Sequence, residues 1–275
     1  METTIFVTVF GRPRYLEISL DSICRQNLGK IDYEILVIND GIEDETQSIV
    51  NSFVTRGFPV KYLFTGQRNV GGLANEGTWR VPGFALNIGF RQTSSDIIVL
   101  SNSDVYHLGD TLFPIIKAVE NDSKAMGTLG KMHDDFGTLV NYLQKERVPD
   151  HRDLQKIITG IKAIPLHERK KAPRADPRDP YCMAIRRKHI EAIGAYDEDF
   201  TGYAHEDTDL MRRLQAYGCY YVFTQGEAVH LYHGDRGVKM KKQKAAYDYN
   251  LALLLKRNGR CYRNQGQAWG TPDGG

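Results

Sequence analysis

Four short apolar runs, each set off by turn residues and spaced by helix-like stretches, limit what this chain can fold into. They are Ile5-Phe6-Val7-Thr8-Val9-Phe10, Glu34-Ile35-Leu36-Val37-Ile38, Val60-Lys61-Tyr62-Leu63-Phe64 and Asp96-Ile97-Ile98-Val99-Leu100. Runs of this length rich in Val, Ile and Phe read as buried strands. Between them, residues 15–25, 46–53 and 84–92 carry apolar side chains at helical spacing. Strands that are apolar throughout, alternating with helices, predict an α/β fold with a mostly parallel sheet covered on both faces. In such sheets ligands sit beyond the carboxyl ends of the strands. Polar residues gather there: Asn39-Asp40-Gly41 after the second run, and Asn102 and Asp104 after the fourth.

The second half is less regular. Residues 131–180 mix His, Lys, Arg, Asp and Pro and are expected to form a long loop or small subdomain. Residues 181–186 and 220–223 read as strands, 188–193 as a short helix and 244–256 as a longer one. The last residues, 265–275, are Gly-rich and expected to be flexible. No repeat and no linker divides the chain, so residues 1–264 are expected to be one domain.

The formal net charge is only +2, which argues against nucleic acid as a general partner. The charge is uneven, however. Residues 236–263 hold nine Lys/Arg against the single acid Asp248. The basic stretch 236–244 has three readings: a lid over an anionic ligand, a contact with an anionic membrane surface, or a solvated helix face. Cys24, Cys182, Cys219 and Cys261 form no CxxC pair, which argues against a zinc ribbon or disulfide framework and fits a reducing compartment. The first apolar run is too short for a signal-peptide core or a membrane span, so the expected location is the cytoplasm.

Motifs narrow the chemistry. No GxGxxG opens a helix after the first strand, there is no GxxxxGK[ST], and no nucleophile elbow is present. What remains is a set of oxygen and imidazole ligands. The densest group is Gly202-Tyr203-Ala204-His205-Glu206-Asp207-Thr208-Asp209-Leu210, with helix-like sequence following. If a helix opens near Thr208, Glu206 and Asp207 lie at its positive end, where they stay ionised and well placed to take a proton. An ordinary acid-rich helix start is the alternative.

Four motifs in order, over residues 4–235, resemble those of family-2 glycosyltransferases with the GT-A fold. They are Glu34 to Gly41; Asn102-Ser103-Asp104, in the place of a DxD motif; the galactosyltransferase-type pattern from Ala192 through Asp207-Thr208-Asp209-Leu210; and His230-Leu231-Tyr232-His233, where a metal-binding histidine follows. The resemblance implies a nucleotide-sugar donor, commonly a UDP-sugar, a hydroxyl acceptor such as a glycan, and an inverting displacement. It also implies a nucleotide-binding half (1–105) and an acceptor-binding half (106–264).

The resemblance implies residue roles as well. Asp104 is the metal-binding carboxylate, with Mn²⁺ suited to carboxylate plus imidazole and Mg²⁺ as the alternative. Asn102 stands where the family has Asp and contacts ribose or metal-bound water. Asp40 meets the base, with Thr8 and Phe10 lining the same pocket; a plain turn at Asp40, and core positions for Thr8 and Phe10, are the other readings. Arg12 is a phosphate contact or a solvated loop charge. Asp207 is the general base, Glu206 an acceptor contact and Asp209 a helix cap. In a regular strand His230 and His233 point to opposite faces, which leaves one metal ligand; His233 is favoured because it precedes Gly234-Asp235. Two rivals stand against this reading. A sugar nucleotidyltransferase would need a Gly-rich, Arg-containing loop, of which residues 10–14 are a poor version. A non-catalytic nucleotide- or carbohydrate-binding module would have no use for both Asp104 and Asp207.

Overall fold

The computed structural model describes residues 2–67, 80–146, 149–165, 167–168, 180–234, 243–257 and 260–271. Its elements are β1 (Glu2–Val9), α1 (Pro13–Cys24), β2 (Asp32–Asn39), α2 (Thr46–Thr55), β3 (Val60–Phe64), α3 (Pro82–Arg91), β4 (Ile97–Asn102), β5 (Val105–Leu108), α4 (Leu112–Asn121), β6 (Ala125–Thr128), β7 (Lys131–His133), α5 (Thr138–Lys145), α6 (His151–Ala163), β8 (Cys182–Arg186), α7 (Arg187–Ala192), α8 (Glu206–Ala216), β9 (Tyr220–Phe223), β10 (Glu227–His230) and α9 (Lys244–Lys256).

Seven strands form the main sheet in the order β3-β2-β1-β4-β8-β6-β9. All neighbours are parallel except β8, which runs antiparallel to β4 and to β6. Successive side chains of a strand point to opposite faces, and the two cores follow that alternation. Ile5, Val7, Ile35, Val37, Ile97 and Val99 pack under α1, α2 and α4. Phe6, Leu36, Ile38, Ile98 and Leu100 pack under α3, α7 and α8. Both faces are covered, which explains why the central residues of β1, β2 and β4 are apolar in succession.

The carboxyl ends of β1, β2 and β4 lie side by side, with Val9 opposite Asn39 and Thr8 opposite Asn102. The turn from α8 into β9 is short, so α8 runs antiparallel to β9 and its first residues return to this same edge. A smaller sheet, β5-β10-β7, sits beyond it. There β10 is antiparallel to β5 and parallel to β7, with His230 opposite both Val105 and His133.

Three expectations change. Residues 131–180 are not one long loop: β7, α5 and α6 lie there, and Leu139, Val140, Leu143, Ile158 and Ile161 bury an apolar face against β5 and β10. The most basic part of this stretch in the sequence, Arg169-Lys170-Lys171-Ala172-Pro173-Arg174, falls outside the described residues. The tail is not free up to residue 271, because Trp269 packs against the core and the Gly270 N–H donates to Glu198 Oε1 at 2.7 Å. Finally, the acid-rich helix opens at Glu206, two residues before Thr208. Among the described residues no helix is long and apolar enough to cross a membrane.

Candidate active site

Asp104 occupies the short link between β4 and β5, at the carboxyl edge of the main sheet. Its Oδ2 lies 3.1 Å from His233 Nε2, 3.6 Å from His230 Nε2 and 3.2 Å from Arg12 Nη1. Burial pushes this carboxyl up, but the two histidines and Arg12 outweigh it and hold it well below the usual carboxylate range.

Both histidines reach Asp104, which corrects the expectation that only one could. The strand ends at His230, so the alternation stops there. The Leu231 N–H donates to the Asp104 carbonyl at 2.9 Å, and the Tyr15 hydroxyl donates to the Tyr232 carbonyl at 2.8 Å. With the backbone held at 231 and 232, His233 turns back onto the same oxygen, and the two imidazoles sit 5.0 Å apart.

Metal ligation fits these residues. One ligand atom from each of Asp104, His230 and His233 lies within 4.8 Å of the others. Asp104 Oδ1 is buried and makes no hydrogen bond among the described residues, and a buried anionic oxygen in that condition calls for a partner. Carboxylate with two imidazoles suits Mn²⁺ better than Mg²⁺.

The adjoining edge carries the residues expected to meet the nucleotide. Asp40 is 2% exposed, and its Oδ1 accepts from the Thr65 hydroxyl at 3.0 Å. The turn chemistry belongs to its neighbour: Asn39 Oδ1 accepts from the Gly41 N–H at 3.0 Å, and its amide donates to Ile42 O and to the Tyr62 hydroxyl. Asn39 thus shapes the turn and Asp40 is presented by it. Phe10 stacks beside Gly41, where a Cβ would come 3.0 Å from its ring. Thr8 is half-buried between the ends of β2 and β4, and Asn102 is exposed at the end of β4. Arg12 is no free loop charge, since it pairs with Asp104.

The acidic loop is built differently. Ala204 and His205, both at φ 75°, lead into α8 in a left-handed conformation that side chains disfavour. Glu206 is buried and Asp207 half-buried in the first turn, where free N–H groups favour carboxylates. Asp207 Oδ1 accepts from the Tyr196 hydroxyl at 3.0 Å. His205 packs its ring on Tyr247, 4.6 Å away, and burial pushes its pKa down.

Asp209 is not a cap. It lies in the fourth position of α8, 2% exposed, with Oδ2 2.6 Å from Arg213 Nε and Oδ1 3.4 Å from Arg263 Nη2. Arg213 also donates to the carbonyls of Ile193 and Ala195, and Arg263 also meets Asp197 at 3.0 Å. A carboxylate sharing two buried guanidinium groups belongs to the framework.

The profile of the family described as "Glycosyl transferase family 2" matches residues 4–194. The chain belongs to glycosyl transferase family 2. A curated relative, validoxylamine A glucosyltransferase of Streptomyces hygroscopicus subsp. limoneus, is 23% identical over 240 residues, covering 78% of this chain and 48% of the relative. The chain spans about half the length of the first curated relatives it matches. Among solved structures, a mannosyltransferase from Pyrobaculum calidifontis in complex with GDP-Man and Mn²⁺ superposes with a TM-score of 0.57 at 14% identity, covering 92% of this chain and 64% of that one. S. aureus TarS residues 1–349 in complex with UDP gives 0.53 at 16% identity, over 94% and 71%. These likenesses establish the GT-A fold.

For this family-2 chain, sequence reasoning located the strand-end residues but missed those that hold the acidic loop. Asn87, Asn250 and Asn264 were not singled out. Asn250 is fully buried in α9 and donates to the carbonyls of Thr201, Tyr203 and Ala204. Asn264 donates to those of Gly194 and Tyr196, and Asn87 both donates to and accepts from the Tyr196 backbone. Only an Asn set among apolar residues of a helix, as at 87 and 250, signals such a role.

Proposed function

We propose that this chain is a metal-dependent, inverting glycosyltransferase that moves a sugar from a nucleotide-diphosphate donor, a UDP-sugar first, to a hydroxyl of a glycan or similar acceptor. The observation that carries this reading is the convergence of Asp104, His230 and His233 within 4.8 Å beside the carboxyl edge of the sheet. Family membership supports it, and so do the nucleotides and Mn²⁺ bound in the structural neighbours.

Each residue then has a task that follows from its position. Asp40, buried and steadied by Thr65, accepts hydrogen bonds from the N–H edge of the base, with Phe10 and Thr8 walling that pocket. Asn102, exposed at the end of β4, meets the ribose. Arg12 shares its guanidinium between Asp104 and the diphosphate. Asp104, His230 and His233 would hold Mn²⁺, which supplies Lewis-acid neutralisation of the charge on the departing diphosphate. Asp207 takes the proton of the acceptor hydroxyl as that oxygen attacks the anomeric carbon opposite the leaving group, and Glu206 orients the acceptor by a hydrogen bond. The basic stretch 236–244, mostly outside the described residues, keeps its three readings: closure over the diphosphate, contact with an anionic membrane, or a solvated helix face.

Thermal shift against UDP- and GDP-sugars, with and without Mn²⁺, tests the donor reading. Stabilisation by one nucleotide sugar that depends on Mn²⁺ is the expected result. Equal response to every nucleotide, with no effect of Mn²⁺, would overturn it.

A further inference from the structure

Tyr196 is sealed in the core, yet it ends in a hydroxyl directed at the proposed base. It is completely buried, and its ring stacks parallel to Phe90 with centroids 6.4 Å apart. The packing is tight: a Cβ on Gly83 would come within 2.4 Å of the ring. Its backbone is fixed on both sides. The N–H donates to Asn87 Oδ1 at 2.9 Å, and the carbonyl accepts from Asn87 at 2.9 Å and Asn264 at 2.7 Å. Packing alone would be met by phenylalanine. The hydroxyl donates to Asp207 Oδ1 at 3.0 Å. Burial first, and then the Asp207 charge, raise the Tyr196 pKa far above its usual value, so this hydroxyl keeps its proton and can only donate to the carboxylate.

We propose that Tyr196 is a positioning residue that orients the Asp207 carboxylate and tunes its basicity. This rests on the reading of Asp207 as general base. An oxygen that already accepts from a buried phenol is the poorer base, so the acceptor proton falls to Oδ2. A hydrogen bond to the charged form also favours that form, which keeps Asp207 ionised at lower pH than it would otherwise be. Among the described residues, the other charged groups acting on this hydrogen bond are Glu206, beside Asp207 in α8, and Arg213, six residues on and paired with Asp209. All of them remain in place when only the phenolic oxygen is removed.

The experiment compares the wild type with Tyr196→Phe and Asp207→Asn. Aspartate labelled with ¹³C at the carboxyl carbon gives a titration curve for each side chain without any substrate, and Asp207→Asn identifies the resonance of Asp207. In Tyr196→Phe the Asp207 midpoint should rise by about one pH unit. The acid limb of kcat for transfer, or for hydrolysis of the donor found by thermal shift, should move with it while donor KM holds. Thermal melting keeps the test fair, because the ring and its packing survive the change. An unmoved midpoint in a folded Tyr196→Phe protein would overturn the proposal, even with Asp207→Asn inactive. Full activity in Asp207→Asn would instead defeat the base reading, and the role of Tyr196 with it.

Discussion

Asp104, His230 and His233 stand at or just beyond strand ends, whereas Asp207 stands in the first turn of α8, after a loop that other parts of the chain hold in shape. In the Asp104 corner, sheet register does most of the positioning: His230 lies opposite Val105, and one further backbone bond sets Leu231 beside Asp104. Among the described residues, the loop before Asp207 makes only the isolated bridge of Thr201 to Arg80. Ala195, Ala204 and His205 adopt positive φ, at about 1–2 kcal/mol each for residues with a Cβ. Two buried asparagines, Asn87 and Asn250, with the half-buried Asn264 and a cluster of Asp and Arg residues offset that strain. At Gly194, φ is +80° and a Cβ would meet the Arg263 carbonyl at 1.9 Å, so the C-terminal residues close directly over the loop. One half of the site is set by sheet hydrogen bonding, and the other by side chains remote in sequence.

Separating the two halves by mutation tests this contrast. Asp207→Asn should cut kcat by about 10²–10⁴-fold, while Mn²⁺ and donor binding, followed by calorimetry, stay at wild-type level. Damage to the loop's support should appear as instability. Arg263→Ala leaves Asp197 and Asp209 short of a buried partner, and urea unfolding should show a loss of about 3–5 kcal/mol. The Asp104 corner should respond in the opposite way. Asp104→Asn is expected to weaken Mn²⁺ binding by at least about 10–100-fold, the loss seen when even outer-shell partners of a metal are changed. Its urea midpoint should stay closer to wild type than that of Arg263→Ala.

The smallest effect concerns acid. His107 in β5 is 3% exposed, and burial holds its pKa down to about 4, against 6.5 for the free side chain. The unfolded chain then binds the extra proton first. Stability from this group is complete above pH 6.5 and is lost as pH falls toward 4, with about 2 kcal/mol gone by pH 5. His107→Gln should flatten that slope in urea titrations between pH 7 and 5. An unchanged slope would show that His107 is not what makes the β5 side acid-sensitive.

Elements with a clear period were legible in the residues alone. The four apolar runs became β1 to β4 within a few residues, and the helix over 244–256 matches α9 from end to end. Residues 138–163 were harder, because their apolar positions are few and sit among charges. Leu139, Val140, Ile158 and Ile161 show as core only once β5 and β10 supply a surface to cover. Asp209 was misplaced for a related reason. A carboxylate in a helix's first turns resembles a cap until an arginine 54 residues away is seen to reach it.

By itself the sequence determined the layered α/β architecture, and it located Asp40, Asn102 and Asp104 at or beside strand ends and Glu206 and Asp207 at a helix start. Those properties follow from side-chain period and local turn chemistry, which act over a few residues. Tertiary structure alone decided that both His230 and His233 face Asp104, that Asp209 is framework, and that Tyr196 holds Asp207. Each of these depends on where a strand stops or which distant segment crosses a loop. Such contacts arise only when buried polar groups must find partners across the whole folded chain.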